Sequence, residues 1–269
     1  MFLFKAVIDI LIVIILIRLL IRPVEANFNT LFNLIYRVTD TILKPFKTIV
    51  KNEFTCVVLA VLSLVILRGL IYFLASRVSL LTGTTTSLLN LFQLLFQFYM
   101  VVWFIVIFTG ERGNTQIISM LQRAFLPLGA LASRLNMSGR SFSFFSFIVL
   151  FIGYSLISFL LSNIVSLKSL GLPFYYGIAE AMVLIIELFP GFFSLVILVS
   201  VILSWVSPSP YHPVAQTIYG ISEPLLIPFR RIIPPIAGLD LSPFAALLCF
   251  QIVGGLLRQA VFNALKMVM

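Results

Sequence analysis

Residues Ile202–Gly255 read ILSWVSPSPYHPVAQTIYGISEPLLIPFRRIIPPIAGLDLSPFAALLCFQIVGG. An apolar run ends at Trp205 and a proline-studded loop follows. Arg230 and Arg231 then stand side by side between Pro228 and the pair Pro234 and Pro235, and an Asp240-Leu241-Ser242-Pro243 step opens another apolar run. The stretch therefore reads as a membrane helix, a polar hinge and a second membrane helix. Composition extends that reading to the whole chain. Hydrophobic residues make up 61%, charged residues 10%, and mean hydropathy is +1.16, whereas about a quarter of a soluble domain is charged.

Apolar runs near the roughly 20 residues that a helix needs to cross the bilayer occur at Phe2–Ile21, Phe54–Leu74, Leu88–Phe108, Phe142–Leu161, Ile178–Val206 and Leu241–Phe262. The expected fold is an all-α membrane protein of six transmembrane helices. The first run is read as a retained helix, because Lys5 and Asp9 interrupt its start and Arg18, Arg22 and Pro23 stand where a signal peptide has small residues.

A net charge of +9 invites a nucleic-acid reading, but the distribution of the charges argues for membrane orientation instead. Arg22, Arg37, Lys44, Lys47 and Lys51 follow the first run, Arg112, Arg123, Arg134 and Arg140 the third, and Arg230 and Arg231 the fifth. Arg77, Lys168 and Lys266 are nearly all that the opposite side holds. Basic loops stay in the cytoplasm. Residues 22–52, 109–141 and 207–240 are thus expected there, in a bacterial inner membrane, with both termini periplasmic. Cys56 and Cys249 fall inside apolar runs and read as small packing residues. With His212 the single histidine, no metal site and no cofactor are expected.

Thr217–Arg230 (TIYGISEPLLIPFR) lies over Leu34–Lys47 (LIYRVTDTILKPFK) without a gap. Ile-Tyr, a hydroxyl residue followed by an acid, Leu-x-Pro-Phe and a basic residue coincide. Beyond a deletion after the hinge, Arg68 falls on Arg258. A fainter copy sets Pro127, Ser141 and Gly153 against Pro228, Ser242 and Gly254. The chain thus reads as three helix-hinge-helix repeats, 1–76, 77–166 and 167–269. Two helices per copy make the copies parallel, which separates them from the inverted repeats of many transporters. Each hinge is expected to hold a short interfacial amphipathic helix, starting in the last copy at Ser222-Glu223-Pro224.

Arg230 and Arg231 are the leading candidates for function. Their guanidinium forks suit lipid phosphates or a partner's acidic groups, while plain positive-inside anchoring is the simpler role. Asp240 either pairs with one of them or caps the last helix, where Ser242 before Pro243 has start-of-helix chemistry. Within the apolar runs, Glu187 is the acid of interest and Arg68 and Arg258 its candidate partners, against the alternative that the arginines extend to the surface. Glu180 is expected at the interface. Asn90, Gln93 and Gln97 form one amide face, suited to lining a path or to gluing helices. Ser155, Ser158 and Ser162 suit close helix packing. Pro190-Gly191 is expected to kink the fifth helix and free carbonyls that need new partners. No catalytic set is visible, so no enzyme is expected.

The segment with SWV (Ser204-Trp205-Val206), PLLIPFRRIIPP (Pro224–Pro235) and GLDLSP (Gly238–Pro243) closely resembles the YggT family of small integral membrane proteins. The family often has Asn-Pro in the first loop, where this chain has Tyr211, His212 and Pro213. The resemblance implies a binding protein that organises or assembles membrane components. Plastid relatives are implicated in maturation of the cytochrome b6f complex, and bacterial ones in membrane organisation and osmotic tolerance. It also implies that partners are the bilayer with its anionic lipids and other membrane proteins, not nucleic acid, and it is compatible with homo-oligomers. The hinge residues Arg230, Arg231, Asp240, Pro228, Pro234 and Pro235 would carry such binding. An ion or small-solute channel or transporter is the alternative.

Overall fold

The computed structural model describes residues 2–28, 30–76, 79–109, 116–165, 171–206, 213–233 and 240–268, and among them every regular element is helical. Five stretches are long and apolar enough to cross a membrane: Glu53–Ala75, Leu80–Phe108, Gly139–Val165, Phe174–Val206 and Ser242–Met267. The remaining apolar run forms a 19-residue helix, Phe2–Leu20, that carries Lys5, Asp9 and Arg18. By mutual packing the chain falls into two compact units, Met1–Leu95 with Leu160–Leu172, and Phe96–Phe159 with Pro173–Met269.

In the first unit, α1 (Phe2–Leu20), α2 (Pro23–Phe28), α3 (Thr30–Lys47) and α4 (Glu53–Ser76) precede the start of α5 (Leu80–Thr109). Helices α1, α3 and α4 each touch the other two. Ile15, Leu43, Val57 and Ala60 form their shared core, and Ile8, Ile12, Val65 and Leu91 form a second one. Helix α3 is strongly amphipathic, so its apolar face packs on α1 and α4 while Arg37, Asp40, Lys44 and Lys47 stay on the polar side. Helix α5 begins well before Leu88, the expected start. The Thr84, Thr85 and Thr86 hydroxyls bond back to the carbonyls of Leu80, Leu81 and Thr82 at 2.8–3.0 Å, which lets a hydroxyl-rich segment stay helical. Here α4 and α5 touch backbone to backbone. A Cβ on Gly83 would lie 2.8 Å from the Gly69 carbonyl oxygen.

The second unit continues α5 and adds α6 (Gln116–Gln122), a 3₁₀ turn at Arg123–Phe125, α7 (Leu126–Arg134) and α8 (Gly139–Val165). It ends with α9 (Phe174–Leu188), a π-helical turn at Phe189–Phe193, α10 (Ser194–Val206), α11 (Pro213–Ile232) and α12 (Ser242–Val268). Aromatic rings fill its interior. Phe104 meets Phe189 and Phe193 edge-on, and Phe189 and Phe229 both meet Phe250 edge-on, with centroids 5.4–6.0 Å apart. Helices α10, α11 and α12 touch pairwise, as α1, α3 and α4 do. On the outside of α12, Leu248, Ile252 and Leu256 stand exposed at helical spacing. Such a stripe suits hydrocarbon, not water.

Two sequence expectations about the hinges are corrected. Helix α11 does not begin at Ser222-Glu223-Pro224; it starts at Pro213 and runs unbroken through Pro224 and Pro228. Prolines four residues apart lie on one side of a helix, so the missing N–H donors are confined to one strip near its end, where Arg230 and Arg231 also complement the helix dipole. Pro45 sits inside α3 in the same way. The middle hinge differs, because Pro127 follows the 3₁₀ turn and starts a new helix.

Pro190-Gly191 does disturb the fifth span, as a π turn. The turn sends the Ser194 N–H to Phe189 O and Gly191 O, Ser194 Oγ also donates to Phe189 O at 2.9 Å, and the Pro190 carbonyl accepts from Gln251 Nε2 at 3.1 Å. A Cβ on Gly177 would lie 2.1 Å from the Ser155 carbonyl oxygen, so α8 and α9 meet at the expected serine face. Ser155 and Ser158 are buried there.

Candidate functional site

The hinge of the last helix pair is built from three elements. Helix α11 carries Tyr219, Ser222, Glu223, Leu226 and Arg230 on successive turns of one side, α10 supplies Ser200, Val201, Ser204 and Trp205, and the start of α12 brings Asp240, Pro243 and Phe244. Together they enclose an open cavity of about 630 Å³. Arg230 spans its mouth, with Nε donating to Asp240 Oδ2 at 2.9 Å and a terminal nitrogen 3.8 Å from Glu223 Oε1. Asp240 does both things expected of it. Its other oxygen accepts the Ser242 N–H at 2.9 Å and so caps α12. Partial burial pushes the Asp240 carboxyl up, but the hydrogen bonds from Ser242 and Arg230 outweigh it and hold the group below its ordinary value. Arg231 is exposed, and it has no ion-pair partner among the described residues. Pro228 is exposed on α11, while Pro234 and Pro235 lie outside the described residues.

The first unit holds a related cluster that sequence reasoning missed. Arg18, on α1, is 3% exposed. Its guanidinium donates to Thr39 Oγ1 at 2.7 Å and to Glu53 Oε1 at 2.8 Å, lies 2.8 Å from Asp40 Oδ1, and sits 4.2 Å from the centre of the Tyr36 ring. Lys47 pairs with Asp40 at 2.7 Å. The acids are half exposed; the guanidinium is the part that is buried.

Residues 179–261 match the family model described as CCB3/YggT. That segment carries the chain's likeness to the CCB3/YggT family. It is similar to PA0392 of Pseudomonas aeruginosa, with 44% identity over 73 residues, which are 27% of this chain and 37% of that protein. It is also similar to YggT of Escherichia coli K12, with 27% identity over 139 residues, 51% of this chain and 63% of that one. A Vibrio alginolyticus protein encoded in the proC 3′ region is 49% identical over 47 residues, 18% of this chain and 25% of that one. The matches therefore span less than two thirds of each relative. No solved structure matches.

The CCB3/YggT segment contains Glu223, Arg230, Arg231 and Asp240 together with Glu180, Glu187 and Arg258; the Arg18 cluster lies before it. Of the intramembrane candidates, Arg258 reaches Glu187 Oε1 at 3.4 Å, both side chains being half exposed. Arg68 takes a different partner. Only 2% exposed, it pairs with Asp9 at 2.5 Å and bonds the Ser87 hydroxyl at 3.0 Å and the Ser87 carbonyl at 2.5 Å. Neither the expected Glu187 pairing nor an escape to the surface applies to it, because a buried guanidinium requires a close acid and acceptors for its remaining N–H groups. Asn90 of the amide face bonds Tyr72 and Lys5, at 3.2 and 3.4 Å, while Gln93 and Gln97 are half buried. Glu180, expected at the membrane interface, lies near the start of α9 and is partly buried against α8, where Ser158 donates to it.

Proposed function

We propose that this chain is a six-pass protein of the bacterial inner membrane that acts by binding, as an organiser or assembly factor for membrane components, with a link to osmotic tolerance. Its helices form three parallel helix-hinge-helix repeats. The hinges face the cytoplasm and the termini the periplasm. The surface that binds is the last hinge, around Arg230, Arg231, Pro228 and Asp240. One observation carries this reading: Glu223 and Asp240 fix Arg230 at the mouth of a cavity between α10, α11 and α12, while Arg231 stays exposed beside it. Arg231 is the group left to engage an anionic headgroup or an acidic partner, and Arg230 holds the hinge that presents it. The family segment includes all of these residues.

A second reading, an ion or small-solute channel or transporter, draws on Glu180, an acid partly buried against Ser158 within a span. Reconstitution into liposomes separates the two. The binding reading expects ion flux no greater than in empty vesicles; saturable flux that Glu180→Gln removes contradicts it.

A further inference from the structure

The triads α1–α3–α4 and α10–α11–α12 place the same side-chain types in the same order, with one member missing from the second. The register that lays Thr217–Arg230 over Leu34–Lys47 pairs Tyr219 with Tyr36, Ser222 with Thr39, Glu223 with Asp40 and Arg230 with Lys47. Two of these correspondences recur as contacts, since Lys47 pairs with Asp40 and Arg230 with Glu223. Carried back without a gap, the register sets Val201 against Arg18. Val201 lines the cavity of about 630 Å³. Where the first triad buries a guanidinium among Tyr36, Thr39, Asp40 and Glu53, the second has open space bounded by Tyr219, Ser222, Glu223 and Asp240.

Charge points the same way. In the first triad Arg18 and Lys47 balance Asp40 and Glu53. In the second, among the described residues, Arg230 alone pairs with Glu223 and Asp240, α10 has no charged residue, and the sequence of 207–212 and 234–239 contains neither lysine nor arginine. Among the described residues that line it, the cavity is one positive charge short. Its size lies in the range of small-molecule sites, roughly 300–1,000 Å³. Hard metal cations call for a tight shell of six or more oxygens, which two carboxylates held apart by an arginine do not supply. An organic cation meets what is present.

Resting on the reading of this hinge as a binding surface, we propose that the cavity between α10, α11 and α12 binds a guanidinium or primary ammonium group, seated as the head of Arg18 is in the first triad. Glu223 and Asp240 are its acceptors, with the Ser222 hydroxyl behind them and the Tyr219 ring as a cation-binding face. The group arrives either on a soluble molecule or as the ethanolamine head of a membrane lipid.

Trp205 lines the cavity and provides the readout. The protein is placed in phosphatidylcholine nanodiscs, whose headgroup has no N–H donor, and titrated with methylguanidinium while tryptophan fluorescence is followed. A saturable change is expected, absent in Trp205→Phe and weakened roughly tenfold or more by Glu223→Gln, the loss typical of one charge-assisted hydrogen bond. Glu223→Gln leaves the Asp240 cap on α12 in place, so its result is not confounded by helix fraying. Val201→Arg should abolish the response by supplying the missing head internally. No saturable change in the unmodified protein, or one indifferent to both Glu223→Gln and Val201→Arg, overturns the proposal. In phosphatidylethanolamine nanodiscs, a weakened response assigns the lipid as occupant and an unchanged one assigns a soluble cation; either outcome upholds the site. A protein that binds methylguanidinium yet conducts ions overturns the organiser reading alone. One that supports osmotic tolerance with no saturable titration overturns this inference alone.

Discussion

Arg230 on α11 donates its Nε–H to Asp240 at 2.9 Å, and the same carboxylate caps α12 through the Ser242 N–H. One acid thus ties the end of the amphipathic hinge helix to the start of the last span. Asp240→Asn should weaken both ties, and loss of a capping carboxylate costs about 1 kcal/mol. The effect depends on pH in a defined direction. The Asp240 carboxyl is held below its ordinary value of 3.8, so its contribution is present in full above that value and fades as pH falls through the lower, folded-state value. Thermal unfolding in detergent should show a gap between the natural protein and Asp240→Asn that is constant from neutral pH to about pH 5 and closes below about pH 4. A gap unchanged at pH 3 would count against the pairing.

Arg68 and Asp9 form the buried counterpart in the first unit. Arg68→Leu leaves the Asp9 carboxylate without its paired guanidinium, and breaking such pairs costs about 3–5 kcal/mol. Replacing both residues with leucine removes the stranded charge and should recover most of that loss. Chemical denaturation of the two variants in micelles measures it; equal destabilisation of single and double variants would contradict the pairing.

Gly177 packs where α8 and α9 touch, whereas the Cβ position of Gly153 faces open space. Gly177→Ala should push the helices apart at a cost of about 1–3 kcal/mol. Gly153→Ala should be neutral or slightly stabilising, since alanine favours helix over glycine. The same unfolding measurement compares them.

The charge pattern predicts a topology that labelling can check. Cysteines placed as Asn27→Cys, Asn114→Cys and Ser209→Cys should resist a membrane-impermeant thiol reagent in intact cells and react once the cytoplasmic side is opened. Labelling of all three from outside reverses the orientation.

Five of the expected spans and the amphipathic helices of the first and last hinges were legible because both depend on local periodicity and composition. The π turn was legible as a disturbance at Pro190-Gly191, but Gln251, which satisfies one of the freed carbonyls, lies 61 residues away in sequence and no local pattern points to it. In sequence Arg18 stands out only as a residue unsuited to a cleavage site, for the same reason: its partners Thr39 and Glu53 are 21 and 35 residues distant. Prolines misled in the other direction. Ser222-Glu223-Pro224 reads as a helix start, yet packing of the apolar face of α11 keeps the helix continuous through Pro224 and on through Pro228. At the candidate site, the Arg230–Asp240 pair was one of two readings of a nearby acid, whereas the cavity beside it arises from three helices and is visible only once they are assembled.

The proposed role of the last hinge depends on its arginines as binding groups and not merely as an orientation signal. The direct measurement is growth under osmotic stress of a strain lacking this gene and carrying Arg230→Ala with Arg231→Ala, beside the corresponding double lysine variant, with insertion verified by cysteine labelling. The double alanine protein should insert correctly and fail to support growth, and lysines should restore only part, because an ammonium lacks the planar fork of a guanidinium. Full growth with the alanines, or full restoration by lysines, would contradict it.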